Sequence, residues 1–288
     1  MALAKKRKKI GLALGGGGAR GLAHIGVIKA LREFGIEPDY VAGTSMGSIV
    51  GGWFCAGEPL EDLEGIFLKA KEKGLFSKTK IIWKRDGVLF KDFEIQAALE
   101  KRLSHISIEK CKTPFAAIAT NVKNGDEVVL DKGSMNFALK ASSAVPIAFK
   151  PVKTEENELL VDGAFSNPVP ADVVRKMGAE IVIAVDVSSR WVNLDQEIKL
   201  TNIRSLMSSS LQAVEYQLAK DHEKDADILL RPPVTHLSWL DFSNVEDIIS
   251  AGYREARANI NKISKTSGQK LPEKTLFDKF VDFVLYRD

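Results

Sequence analysis

The sequence lacks several features that would assign a chain to a class at once. It has no uninterrupted apolar stretch of about 18 residues, so no transmembrane helix is predicted. Cysteine is scarce: Cys55 and Cys111 stand far apart without a CxxC pattern, which argues against a disulfide framework and predicts a reducing, intracellular compartment. No cluster of His, Cys or carboxylate residues has metal-ligand spacing, and no cofactor is predicted. We therefore expect a globular cytoplasmic protein.

Excess charge is also missing, except at the start of the chain. The 288 residues include 41 Lys and Arg against 38 Asp and Glu. Five consecutive basic residues account for this balance: Lys5, Lys6, Arg7, Lys8 and Lys9. Without these five, 36 basic residues stand against 38 acidic ones. The body of the protein is therefore not basic, which argues against nucleic-acid binding. The basic cluster is interpreted as a solubilising tail over residues 1–9. The alternative is peripheral contact with the inner membrane surface, at about 1 kcal/mol per basic residue.

Beyond this tail, short apolar runs alternate with helical patterns. Ile10–Leu14 predicts a buried strand, and the apolar residues of Arg20–Phe34 recur at helical spacing. Phe115–Leu130 predicts a β-hairpin with an Asn-Gly turn. The alternation predicts one α/β domain over residues 10–288, with three layers and a mostly parallel central sheet covered on both faces.

A run of glycines follows the first predicted strand and precedes a helix. The backbone N–H groups of Gly16, Gly17 and Gly18 can converge on one negative charge, because these residues carry no Cβ. The run also fits the dinucleotide fingerprint G-x-G-x-x-G. However, the acidic candidate Asp39 precedes the second strand, whereas a ribose contact requires the strand's carboxyl end. We therefore interpret the run as an oxyanion site.

The second glycine-containing stretch has the pattern G-x-S-x-G at a strand-to-helix junction. Gly43 and Gly47 allow the strained turn that lifts a serine hydroxyl out of the backbone. The helix that begins at Met46 stabilises negative charge at Ser45. Ser45 is the predicted nucleophile.

A serine nucleophile needs a base, and the sequence offers both aspartate and histidine. Asp162 ends an apolar strand and is followed by Gly163, at the kind of sheet edge where a base is expected. An aspartate that caps the next turn is the alternative interpretation. His222 and His236 follow Asp162 and leave a Ser-His-Asp triad open, whereas His24 is interpreted as structural.

Together these motifs resemble those of the patatin-like phospholipase family, and in particular its small bacterial stand-alone members. Gly16–Gly21 is similar to the family's Gly-Gly-Gly-x-Arg/Lys-Gly loop, Gly43–Gly47 to its Gly-x-Ser-x-Gly, and Asp162–Ala164 to its Asp-Gly-Ala/Gly. The motifs stand in that order within residues 10–187, and a helical part follows over residues 198–288. The resemblance implies the patatin-like three-layer fold.

The resemblance also implies a lipid acyl hydrolase with a serine–aspartate dyad, acting on phospholipids or related glycerolipids. Ser45 would attack the ester carbonyl and Asp162 would accept its proton. The oxyanion would be held by Gly16, Gly17 and Gly18, assisted by Arg20, with motif support from Gly21, Gly43, Gly47 and Gly163.

Other interpretations remain open at this point. Residues 74–90, which mix apolar and basic side chains, form either an interfacial lid that contacts lipid or an ordinary packed connection. A triad esterase that uses His222 or His236 would change the mechanism. A non-catalytic lipid-binding or regulatory protein would keep the fold without the chemistry.

Overall fold

The computed structural model of this chain describes residues 7–73, 82–84, 87–89, 93–146, 149–188 and 203–272. Lys5 and Lys6, most of the segment 74–90, and both ends of the predicted helical part (residues 198–202 and 273–288) lie outside these residues. Within the described part of the chain, no helix is both long enough and apolar enough to cross a membrane.

Ten strands and nine α-helices alternate along the described residues. The strands are β1 (Ile10–Leu14), β2 (Tyr40–Thr44), β3 (Ile82–Lys84), β4 (Gly87–Leu89), β5 (Phe115–Asn121), β6 (Glu127–Leu130), β7 (Val152–Lys153), β8 (Leu159–Asp162), β9 (Ile181–Val185) and β10 (Ile228–Leu230). The helices are α1 (Ala23–Glu33), α2 (Met46–Cys55), α3 (Leu60–Glu72), α4 (Phe93–Leu103), α5 (Met135–Ser142), α6 (Ala171–Lys176), α7 (Ile203–His222), α8 (Val245–Ala258) and α9 (Ile260–Ser267).

The main sheet has a parallel centre and an antiparallel edge. Strands β10, β9, β1, β2 and β5 lie side by side and run parallel. Strand β6 pairs with β5 in the predicted hairpin, and β8 and β7 extend the sheet, all in antiparallel pairs. The predicted α/β sheet with helices on both faces is confirmed, with this antiparallel extension at one side. Strands β3 and β4 form a separate antiparallel pair.

Alternating side chains on β1 supply both faces of the sheet. Leu12 and Leu14 join the larger core cluster, which includes residues of α1, α2, α3 and α8. Ala13 joins the smaller cluster, which includes residues of α6. A Cβ at Gly11 would lie 2.6 Å from Ala179 Cβ, so small residues are required where the second layer packs closely. This period of two makes β1 a central strand buried on both faces.

The parallel direction of β1 and β2 decides where their loops meet. Both strands end at the same edge of the sheet, where β1 leads into a 3-10 helix over Gly18–Leu22 and β2 leads into α2. The glycine run and the serine turn, predicted separately from the sequence, therefore lie beside each other.

Candidate active site

Ser45 occupies a strained turn between β2 and α2. Its φ of 54° and ψ of −122° lie outside the regions that non-glycine residues normally adopt. Its N–H donates a hydrogen bond to Ser142 Oγ at 3.0 Å, and Thr44 Oγ1 donates to the Asn167 carbonyl at 2.7 Å. These contacts with distant segments hold the turn, and only 6% of Ser45 is exposed.

The two glycines that flank Ser45 are required by close backbone contact. A Cβ at Gly43 would lie 2.4 Å from the Gly47 carbonyl oxygen, and one at Gly47 would lie 2.2 Å from the Leu14 carbonyl oxygen. Neither backbone can move without separating α2 from the sheet. The G-x-S-x-G pattern therefore reflects the packing of α2 on β1 and β2 as well as the turn itself.

Asp162 faces this turn from the other side of β5. Strand β2 pairs Thr44 with Ile118 of β5, and β8 pairs Asp162 with Ala119 of the same strand. Thr44, which precedes Ser45, and Asp162 therefore lie at nearly the same level along β5. The prediction that Asp162 ends a strand agrees with this geometry, but the strand runs antiparallel to its neighbour. A Cβ at Gly163 would lie 2.3 Å from the Ile118 carbonyl oxygen, which explains the glycine after Asp162.

The Asp162 carboxyl is buried and incompletely hydrogen bonded. Its Oδ1 accepts the Ala164 N–H at 2.9 Å, whereas Oδ2 accepts no hydrogen bond from any described residue. Burial raises the pKa of Asp162 to about 7, although the nearby Ser45 hydroxyl and the Ala164 N–H act in the opposite direction. A carboxyl group with this pKa exchanges protons near neutral pH.

Two N–H groups of the glycine run are available to a ligand in the pocket, and a third is already hydrogen bonded within the protein. Gly16 N–H donates to the Pro168 carbonyl at 2.9 Å, so this predicted oxyanion donor is already occupied. Gly17 and Gly18 line the pocket of Ser45, and their N–H groups donate no hydrogen bond to any described residue. Gly18 has a φ of 56°, and a Cβ there would lie 2.2 Å from the Trp239 carbonyl oxygen. These constraints leave Gly17 and Gly18 as the candidate donors.

Arg20 and His24 lie behind the glycine run rather than in the pocket. The fully buried Arg20 donates from Nε to the Gly17 carbonyl at 3.2 Å, and it does not line the pocket. His24 Nε2 lies 2.8 Å from the Gly15 carbonyl oxygen, so that nitrogen is the donor. Burial lowers the pKa of His24 to about 4, which keeps it neutral. Arg20, predicted to assist the oxyanion donors, contacts the peptide that joins Gly17 to Gly18. Gly21 lets this segment approach Met46, since a Cβ there would lie 2.6 Å from Met46 Cβ.

The pocket includes residues that sequence reasoning did not identify. Ser45, Asp162 and the two glycines share it with an apolar wall and with two polar side chains of α7. The apolar wall consists of Val145, Ala164, Phe165, Leu211 and Trp239, and the polar side chains are Gln212 and Glu215. No local motif marks Glu215 or Trp239. Only the packing of α7 and of the loop after β10 brings them to the site.

Neither candidate histidine lies in the pocket. His222 Nδ1 is 3.7 Å from Asp172 Oδ1, and the neighbouring Asp172 carboxylate raises the pKa of His222. His236 is exposed and does not line the pocket of Ser45. Among the described residues, no group of three or more His, Cys, Asp or Glu side chains could hold a metal ion.

The described part of the basic cluster lies at the opposite edge of the sheet from Ser45. Arg7 forms a two-pronged salt bridge with Asp39, and Lys9 Nζ donates to Tyr40 Oη at 3.0 Å. These contacts are at the amino ends of β1 and β2. A five-residue strand is about 16 Å long, which separates them from the serine turn. The described contacts of Arg7 and Lys9 therefore lie at the opposite end of these strands from the serine turn.

Comparisons with known proteins match most of the chain. The model of the patatin-like phospholipase family matches residues 12–175. Mouse patatin-like phospholipase domain-containing protein 7 is 30% identical over 274 residues, which cover 86% of this chain and 20% of the mouse protein. Lysophospholipase nte1 of Emericella nidulans is 26% identical over 295 residues, which cover 92% and 19%. The chain spans about a fifth of the length of these two relatives. The solved structure of VipD from Legionella pneumophila aligns with a TM-score of 0.49 and 13% identity, over 90% of this chain and 67% of that one.

Proposed function

We propose that this chain, which belongs to the patatin-like phospholipase family, hydrolyses acyl esters of phospholipids or related glycerolipids through Ser45 and Asp162. One observation carries the proposal: a strained serine shares its pocket with a buried carboxyl group whose Oδ2 accepts no hydrogen bond from any described residue. The lipid substrate is supported by the names of the relatives and by the apolar wall of the pocket.

The proposed reaction has two halves. Ser45 Oγ attacks the ester carbonyl while Asp162 Oδ2 takes the hydroxyl proton, and the N–H groups of Gly17 and Gly18 stabilise the negative oxygen. Asp162 then gives the proton to the departing alcohol, which leaves an acyl group on Ser45. Water attacks this acyl-enzyme with Asp162 again as base, which releases the fatty acid and restores the serine.

The burial of Asp162 supports its role as base. An exposed aspartate, with a pKa of about 3.9, is a weak acceptor for a serine proton. Desolvation strengthens the base, and the N-terminus of α2 favours negative charge at Ser45. A histidine is then unnecessary, in keeping with the positions of His222 and His236 outside the pocket lining.

Fluorophosphonate labelling and fatty-acid release from phospholipid and lysophospholipid test this proposal. We expect Ser45→Ala to lose both the label and turnover, and Asp162→Asn to lose at least about 100-fold in kcat. His236→Ala is the matched control and should retain activity. A dead His236→Ala with an active Asp162→Asn would overturn the dyad and point to His236 as the base. A wild type that neither labels nor releases fatty acid would establish a non-catalytic protein.

A further inference from the structure

Glu215 brings a second carboxyl group to the pocket of Ser45. It lies on α7 and lines the pocket together with Ser45 and Asp162. Gly16 lies close to Glu215, to Ser45 and to the segment that follows Asp162. A Cβ on Gly16 would lie 3.3 Å from Glu215 Oε1, 3.5 Å from Ala164 Cβ and 3.6 Å from Ser45 Cβ. The carboxylate therefore lies against the glycine run, across from the serine.

The charges around Glu215 come from three other segments. Arg20 attracts it from behind the glycine run, Asp186 repels it from the end of β9, and its own charge acts on Asp162. Burial, together with Asp186, raises the pKa of Glu215, and Arg20 acts in the opposite direction. This attraction partly offsets the burial of the Arg20 guanidinium, whose Nη1 and Nη2 donate no hydrogen bond to any described residue.

We propose that Glu215 is a positioning residue of the proposed hydrolase site, which neutralises buried Arg20 behind the glycine run and strengthens Asp162 as a base. The two actions follow from one location. As the counter-charge of Arg20, Glu215 keeps the guanidinium on the Gly17 carbonyl, which orients the candidate oxyanion donors. As a second negative charge in one pocket, it disfavours the ionised form of Asp162.

The role of Glu215 in turnover rests on the proposed function, and the pH profile tests it. The groups that face Asp162 in the pocket are the Ser45 hydroxyl and Glu215. In Glu215→Gln, the acid limb of kcat/KM for a soluble ester such as p-nitrophenyl butyrate should move to lower pH by roughly 1 pH unit. The rate above the limb should fall, because the base is weaker. Glu215→Asp keeps the negative charge, so its acid limb should lie between those of Glu215→Gln and the wild type.

The matched control is Asp221→Asn, which removes an exposed charge from the same helix. Asp221 pairs with Lys224 on the surface, so its loss should leave the acid limb unchanged. An equal loss of rate at all pH values in Glu215→Gln, with no shift of the limb, would mean that Glu215 only supports packing and would overturn the proposal.

A stability measurement tests the same interaction without any activity. Thermal unfolding is measured from pH 4 to 9 for the wild type, Asp162→Asn, Glu215→Gln and the double variant. The stability gained by Asp162→Asn should grow as pH rises from about 4 and level off above the pKa of Asp162 in the folded protein. Glu215→Gln should move this levelling to lower pH. An identical levelling point in both backgrounds would overturn the proposal, even if no ester is ever hydrolysed. If Glu215→Gln moves the levelling point to lower pH but the wild type hydrolyses no ester, only the proposed function is rejected.

Discussion

At the scale of single residues, the site depends on a backbone conformation that Ser45 would not adopt alone. A non-glycine residue in a sparsely populated conformation costs about 1–3 kcal/mol. The sequence indicates this turn through its glycines, but the groups that maintain it come from elsewhere. Ser142, almost a hundred positions later, accepts the Ser45 N–H, and both residues are buried.

Replacing Ser142 with alanine should lower kcat on the order of tenfold. The change leaves the buried Ser45 N–H without an acceptor, which costs about 1–3 kcal/mol and loosens the turn. Ester turnover and thermal unfolding measure the two effects. Ser143→Ala is the control, because Ser143 Oγ donates only to the Leu139 carbonyl of its own helix. Equal behaviour of the two variants would contradict this role for Ser142.

At the scale of elements, local patterns predict which segments fold but not always the direction in which they pair. The apolar spacing of Arg20–Phe34 is local, and the helix predicted there agrees with α1 to within a few residues; α2 begins at Met46, as predicted. The run ending at Asp162 also predicts a strand. Its antiparallel pairing with β5 depends on the path of the chain after α5, which no local pattern records.

Gly47→Ala should separate α2 from the sheet and destabilise the protein by about 3 kcal/mol. The added Cβ would lie 2.2 Å from the Leu14 carbonyl oxygen, and both atoms belong to packed backbone. Gly65→Ala in α3 is the control: its Cβ meets nothing within 4 Å, so helix propensity should stabilise the protein by about 0.5–1 kcal/mol. Chemical denaturation compares the two. A Gly47→Ala variant as stable as the wild type would contradict the close-packing argument.

At the scale of the whole molecule, burial converts an ordinary aspartate into a group that titrates near neutral pH. The layers on both sides of the sheet remove water from Asp162, and this desolvation is the largest cause of its raised pKa. Along the strands, the side chains of Arg7 and Lys9 find their partners at one edge of the sheet, and the pocket of Ser45 lies at the other.

For the proposed hydrolase, kcat/KM on a soluble ester should rise with pH and reach half its maximum near pH 7. The reason is that only ionised Asp162 accepts the serine proton, and the pKa of Asp162 is about 7. A pH series with wild-type protein measures the limb. A midpoint near 4, the value of an exposed aspartate, would contradict the desolvation argument.

The sequence alone determined the parts whose signals are local: the glycine run, the serine turn, the aspartate at a strand end, and the alternation that makes an α/β sheet. Steric limits and hydrophobic periodicity act over a few residues, so these features can be read without a structure. Only the tertiary structure decided which N–H groups remain free, that Arg20 lies behind the loop, and that Glu215 and Trp239 enter the pocket. These properties depend on contacts between segments far apart in the chain, and on the removal of water by all layers together.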